Sequence, residues 1–67
     1  MSDNASPWLT VKESAVVAKC GAKTIYKEVR ARRLRAARIG ERRDLRIHRD
    51  WIDQWLVASA EVVEVHR

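Results

Sequence analysis

The 67 residues contain no phenylalanine, one cysteine, one proline, one tyrosine and two glycines. The lone Cys20 excludes an internal disulfide. With His48 and His66 it gives no metal-ligand spacing, so no metal is expected. A single thiol fits a reducing compartment. No apolar run approaches the roughly 18 residues of a membrane span, and the first residues lack a charged, then apolar, leader pattern. The expected location is therefore cytoplasmic, close to the nucleoid, with no membrane partner. A chain of this length forms one marginally stable domain. Lacking a staple, it must rely on economical helix packing. No nucleophile, base and orienting residue form a set, so neither an enzyme, nor catalytic residues, nor a cofactor is expected.

What the chain has is positive charge, unevenly placed. Between Lys23 and Arg49 there are eleven Lys/Arg and three acids (Glu28, Glu41, Asp44), a net +8. The remainder carries three Lys/Arg against six acids, a net −3. Ten of the fourteen cations are arginine, whose planar fork suits phosphates and guanine edges. A solvated surface alone favours interspersed signs, so the run implies a polyanionic partner.

The local patterns then give elements. Residues 1–7 are polar and suggest a disordered lead-in. Thr10-Val11-Lys12-Glu13 is a capping box, with Leu9 placed to staple onto the helix. That helix is predicted over Val11–Ala18, with Val11, Ala15 and Ala18 on one face and Ser14 beside them. After a break at Cys20-Gly21, a second helix is predicted over Ala22–Arg30. Ile25 and Val29 point inward from it. Two short helices across so tight a turn match a helix-turn-helix unit, whose second helix enters the DNA major groove. Cys20 is expected to be a small core residue.

From Leu34 to Ile47 the period changes. Ala36–Ile39 and Leu45–Ile47 flank Gly40-Glu41-Arg42-Arg43-Asp44 as a hairpin with a basic tip. Ile39 and Ile47 are the expected inward positions. Arg38 and Arg46 are expected to face solvent or DNA. A third helix is predicted over Arg49–Ala60, with Ile52, Trp55, Leu56 and Ser59 as its buried stripe and Asp50 and Asp53 near its positive end. Trp51 lies just off that stripe as a candidate partner contact, and the three tryptophans do not suggest a stacking platform. Residues 61–67 form a tail that could extend the helix, pair as an edge strand or fray. The expected fold class is mainly α with a small β-hairpin: a winged helix-turn-helix of three helices and a two-stranded wing over residues 8–60.

Several short runs then resemble a known family. Leu9-Thr10-Val11-Lys12-Glu13-Ser14-Ala15, Thr24-Ile25-Tyr26, Leu34, Arg38-Ile39-Gly40-Glu41-Arg42-Arg43 and Asp53-Gln54-Trp55-Leu56 resemble, in this order, the excisionase-type winged helix-turn-helix domain. That domain is related to the DNA-binding heads of the MerR regulators. The resemblance spans about Trp8 to Leu56. It implies a recognition helix at Ala22–Arg30 in the major groove and a wing around Gly40–Arg43 in or beside the minor groove. The chain departs from the pattern twice. Ala18-Lys19-Cys20-Gly21 replaces the usual Leu-Gly-Val-Ser turn, and Arg32-Arg33 stands where glycine is common after the recognition helix.

The residues expected to meet DNA follow. Lys23, Thr24 and Lys27 lie on the outer face of the second helix, for base edges or phosphates. Tyr26 could donate its hydroxyl to a phosphate or fill a gap at the core edge. Arg30, Arg32, Arg33 and Arg35 are expected on the backbone, which positions the protein without reading sequence. Arg42 and Arg43 could enter a narrow minor groove, where negative potential is enhanced, or form a solvated turn. The expected activity is sequence-specific binding of double-stranded DNA, cooperative because one small module has limited affinity. The resemblance implies an excisionase, or recombination directionality factor, partnered by an integrase or other recombinase. The alternatives are a small transcriptional regulator using the same surface and a protein-interaction module for an acidic partner.

Overall fold

The computed structural model describes residues 6–60. Strand β1 (Trp8–Leu9) leads into helix α1 (Val11–Ala18) and helix α2 (Ala22–Arg30). Strands β2 (Ala37–Ile39) and β3 (Asp44–His48) form a hairpin, and helix α3 (Arg49–Ser59) follows. The architecture is the expected winged helix-turn-helix, with one addition. β1 pairs antiparallel with β3, giving a three-stranded sheet in the order β1-β3-β2.

Both early helices start and stop for local reasons. The Thr10 hydroxyl accepts the Glu13 amide at 3.1 Å, and the Glu13 carboxylate accepts the Thr10 amide at 2.9 Å. These two bonds close the capping box. α1 stops where Lys19 turns left-handed at φ 59°. The Cys20 amide then donates to the Ala15 carbonyl and the Lys19 amide to Val16, which satisfies carbonyls the helix leaves open. α2 starts on Gly21, which offers no side-chain cap. It ends with the same device: Arg32 is left-handed at φ 64°, and the Arg33 amide reaches the Glu28 carbonyl at 2.9 Å. Lys19 and Arg32 thus hold a conformation that glycine reaches without the Cβ penalty.

The core draws on every element except β2. Ile25 of α2, Ile47 of β3 and Ile52 of α3 are completely buried, joined by Leu9, Val11, Ala15, Leu34 and Trp55. Cys20 and Val29 are half-buried and pack against this cluster. A buried isoleucine stabilises by about 1.5–3 kcal/mol, a large share of the total in a domain this small. Pro7 joins the framework too, its carbonyl accepting the Arg49 amide at 2.8 Å. Residues 1–5 of the predicted lead-in and the whole tail, 61–67, lie outside the described residues.

Three expected core positions are corrected. Ile39 is 46% exposed, and the register explains why. Ala37 faces Arg46, Arg38 faces Leu45 and Ile39 faces Asp44. Paired residues share a face and neighbours along a strand alternate. Leu45, Ile47 and Arg38 therefore lie on the core side, while Ile39 lies on the other with Arg46 and His48. In α3 the buried stripe stops at Trp55. Leu56 is 42% exposed and Ser59 is exposed. The helix packs on α1 and β3 through its first two turns, and its last turn runs past them.

Candidate nucleic-acid interface

α2 is amphipathic across a sharp divide. Ile25 is fully buried, and Lys23, Thr24, Tyr26, Lys27 and Arg30 are exposed. Lys23, Tyr26, Lys27 and Arg30 fall at helical spacings of three and four, so they form one continuous surface stripe. Tyr26 is therefore on the outer face and not a core filler. Nine residues make a rod about 13 Å long, and an α-helix of ordinary diameter fits a B-DNA major groove about 12 Å wide.

Beside this stripe the hairpin forms a second wall. A cleft of about 280 Å³ separates them, with Tyr26 and Arg30 on the helix side and Arg38 and Arg43 on the hairpin side. Among the described residues Asp44 is the one acid lining it. The hairpin tip is fixed by Gly40 and Arg43, both left-handed at φ 72° and 59°, and by the Arg43 amide donating to the Gly40 carbonyl at 3.1 Å. Arg42 and Arg43 are both exposed. The register thus splits the two strand arginines. Arg38 turns toward α2, whereas Arg46 lies on the opposite sheet face, half-buried, donating from Nη1 to its neighbour's carbonyl, Leu45 O, at 2.9 Å.

The loop after α2 divides its arginines as well. Arg32 is exposed. Arg33 is not available in the same way: its Nε and Nη2 donate to the two carboxylate oxygens of Glu28 at 2.8 and 2.9 Å. Such a fork-to-fork pair is geometrically specific. Trp55 Nε1 also donates to Glu28 Oε1, at 3.2 Å. The Arg33 hydrogen bonds, opposed by partial desolvation and aided by Trp55, hold the Glu28 carboxyl at about 2. Glu28 in return raises the Arg33 guanidinium above its ordinary value. Arg35 takes a third arrangement, its guanidinium 5.6 Å from the Trp51 ring centroid, within cation–π range.

Sequence reasoning missed two constellations. Glu28 joins α2 to the following loop and to α3, and its partners sit five and 27 positions away. The five-residue spacing crosses the helix end, so helix periodicity gives no signal for it. The second is an aromatic cluster. Trp8 meets His48 edge-on at 4.8 Å and Trp51 at 5.5 Å. It forms because Trp8 pairs with His48 in the sheet. His48 also caps α3, its Nδ1 accepting the Asp50 amide at 3.1 Å. Trp51 is thus a half-buried member of this cluster.

A family model described as a helix-turn-helix domain matches residues 8–58. The matched span runs from β1 into the last turn of α3 and contains every residue placed at this interface. No curated protein and no solved structure matches the chain.

Proposed function

The chain belongs to the helix-turn-helix domain family, a DNA-binding family, and we propose that it reads a specific double-stranded sequence as an excisionase-type architectural factor. One observation carries the DNA-reading part. Lys23, Tyr26, Lys27 and Arg30 form one exposed stripe beside a cleft whose other wall holds Arg38 and Arg43. In this reading the stripe enters the major groove. Lys23, Thr24 and Lys27 approach base edges or phosphates, and Tyr26 and Arg30 face the backbone at the mouth of the cleft. Arg38, Arg42 and Arg43 hold the strand beside the wing. Arg32 adds a backbone contact from the loop. Arg33 acts through Glu28, by fixing the end of α2, and Arg46 contributes from another face.

The excisionase role rests on the family, which includes excisionase-like proteins, and on the ordered runs quoted above. In that role several copies coat or bend DNA beside an attachment site, and a recombinase then runs excision in preference to integration. A transcriptional regulator would use the same surface without the recombinase.

The DNA reading is tested by mobility shift with specific and nonspecific duplexes. Lys27→Ala is expected to weaken the specific complex more than the nonspecific one, by about 1–3 kcal/mol if Lys27 reads a base edge. Equal weakening of both makes Lys27 a phosphate contact. Absence of any shift at low salt contradicts DNA binding. The role is tested by excision assayed with the cognate integrase, with and without this protein. Stimulated excision supports it, and unchanged excision removes it.

A further inference from the structure

A second groove lies between the loop after α2 and helix α3; the DNA reading uses Arg32 and Arg38 of its rim and leaves Arg35 and the groove's interior unused. It encloses about 530 Å³, with Trp51, Trp55 and Ala58 along its α3 wall and Arg32, Arg35 and Arg38 on its rim. Among the described residues none of these three arginines pairs with a carboxylate; Glu28 binds Arg33. The groove is therefore mostly apolar on its α3 wall, where Gln54 is the polar exception, and has arginines among the apolar residues of its other side.

The sequence directly after α3 has the complementary chemistry. Glu61-Val62-Val63-Glu64-Val65 supplies two carboxylates and three β-branched apolar side chains. Five extended residues span about 17 Å, whereas the α3 wall from Trp51 to Ala58 is about 10 Å long. To enter the groove of its own chain, this segment would have to reverse direction at once after Ala60. Residues 60–65 contain no Gly, Pro, Asn or Asp, the residues that favour tight reversals. We propose that the groove receives the 61–65 segment of a second copy of this chain, with the carboxylates on the arginine rim and the valines against the tryptophan wall.

So small a contact is weak alone. Neighbours held on one duplex reach effective concentrations of about mM, which is enough to engage it. The contact thus supplies cooperativity between adjacent copies; that role, unlike the contact itself, rests on the DNA-binding reading.

The contact is tested without DNA. A synthetic peptide of residues 59–67 is titrated into the isotope-labelled full chain and followed by NMR. Shifts confined to residues 32–38 and 51–58 are expected, with affinity falling tenfold or more for Arg35→Glu. The same peptide carrying Glu61→Lys and Glu64→Lys should bind the wild-type chain tenfold or more weakly and recover on the Arg35→Glu chain. No shifts, shifts elsewhere, or affinity indifferent to these charges overturns the proposal. A chain that binds the peptide only after its own Glu61 and Glu64 are reversed also overturns it, because the groove is then filled from within. On long duplexes, Glu61→Gln with Glu64→Gln should reduce cooperativity while leaving affinity per site within about twofold. Unchanged cooperativity overturns the assembly role.

Discussion

Two basic regions of this molecule look alike in sequence and differ in what their arginines are for. The turn after α2 carries Arg32 and Arg33, and the hairpin tip carries Arg42 and Arg43. Each places one arginine in the left-handed region, Arg32 at φ 64° and Arg43 at φ 59°. At the turn, Arg33 is clamped on Glu28, which Trp55 also holds. At the tip, neither arginine has a carboxylate partner among the described residues. A run of cations is thus divided into a part that fixes the frame and a part left for a partner. In the proposed complex the first sets the orientation of α2, and the second grips the DNA that α2 reads.

The two regions should differ most at the tip. Arg42→Ala with Arg43→Ala should lower duplex affinity roughly tenfold to a hundredfold at 0.1 M salt, as expected for two lost phosphate contacts. The melting temperature should stay within the range of an ordinary surface change. A large loss of stability with unchanged affinity reverses the assignment. At the turn the opposite split is expected. Glu28→Gln or Arg33→Ala should lower the melting temperature and leave the salt dependence of DNA binding unchanged. The pair also sets a pH dependence. The Glu28 carboxyl titrates at about 2 in the fold against an ordinary 4.5. Its contribution is complete above pH 4.5 and is lost as pH falls from there through about 2. Thermal melts from pH 6 to pH 2 should show a shallower acid decline in Glu28→Gln than in the wild type.

Smaller effects sharpen the same contrast. Arg32→Gly should raise stability by about 0.5–1 kcal/mol by relieving the left-handed turn, while reducing the salt slope by about one unit. A variant that gains no stability shows that the Arg32 side chain contributes to the folded state. Ser14, away from both regions, is fully buried with a hydroxyl that has no hydrogen-bond partner among the described residues. Ser14→Ala should leave stability equal or higher by up to about 1 kcal/mol in chemical denaturation. A loss of that size would show that the hydroxyl finds a partner in solution.

The parts of the fold that were legible in sequence are the local ones. α1 and α2 were bounded correctly because the capping box, the Cys20-Gly21 break and the Ile25 spacing all act within a turn or two. The exposed face of α2, with Lys23, Lys27 and Arg30, followed from the same spacing. What was not legible depends on distant pairing. β1 is only two residues long, and it exists through its pairing to Leu9 and Trp8 from Ile47 and His48, 38 and 40 positions on. The hairpin was visible, but its register was not, and one step of register decides that Ile39 faces away from the core. The burial of Leu56 failed for a similar reason: periodicity gives a face, while the neighbours decide how far along the helix that face is covered. Arg33 counted as one more cation until the end of α2 brought it onto Glu28.

The most direct test of this division is the slope of log affinity against log salt for a duplex carrying the site, measured for the wild type and for Arg42→Ala with Arg43→Ala. About six neutralised phosphates give a wild-type slope near −5, and loss of the tip should bring it to between about −3 and −4. An unchanged slope in the variant, or no wild-type binding at low salt, would contradict the account.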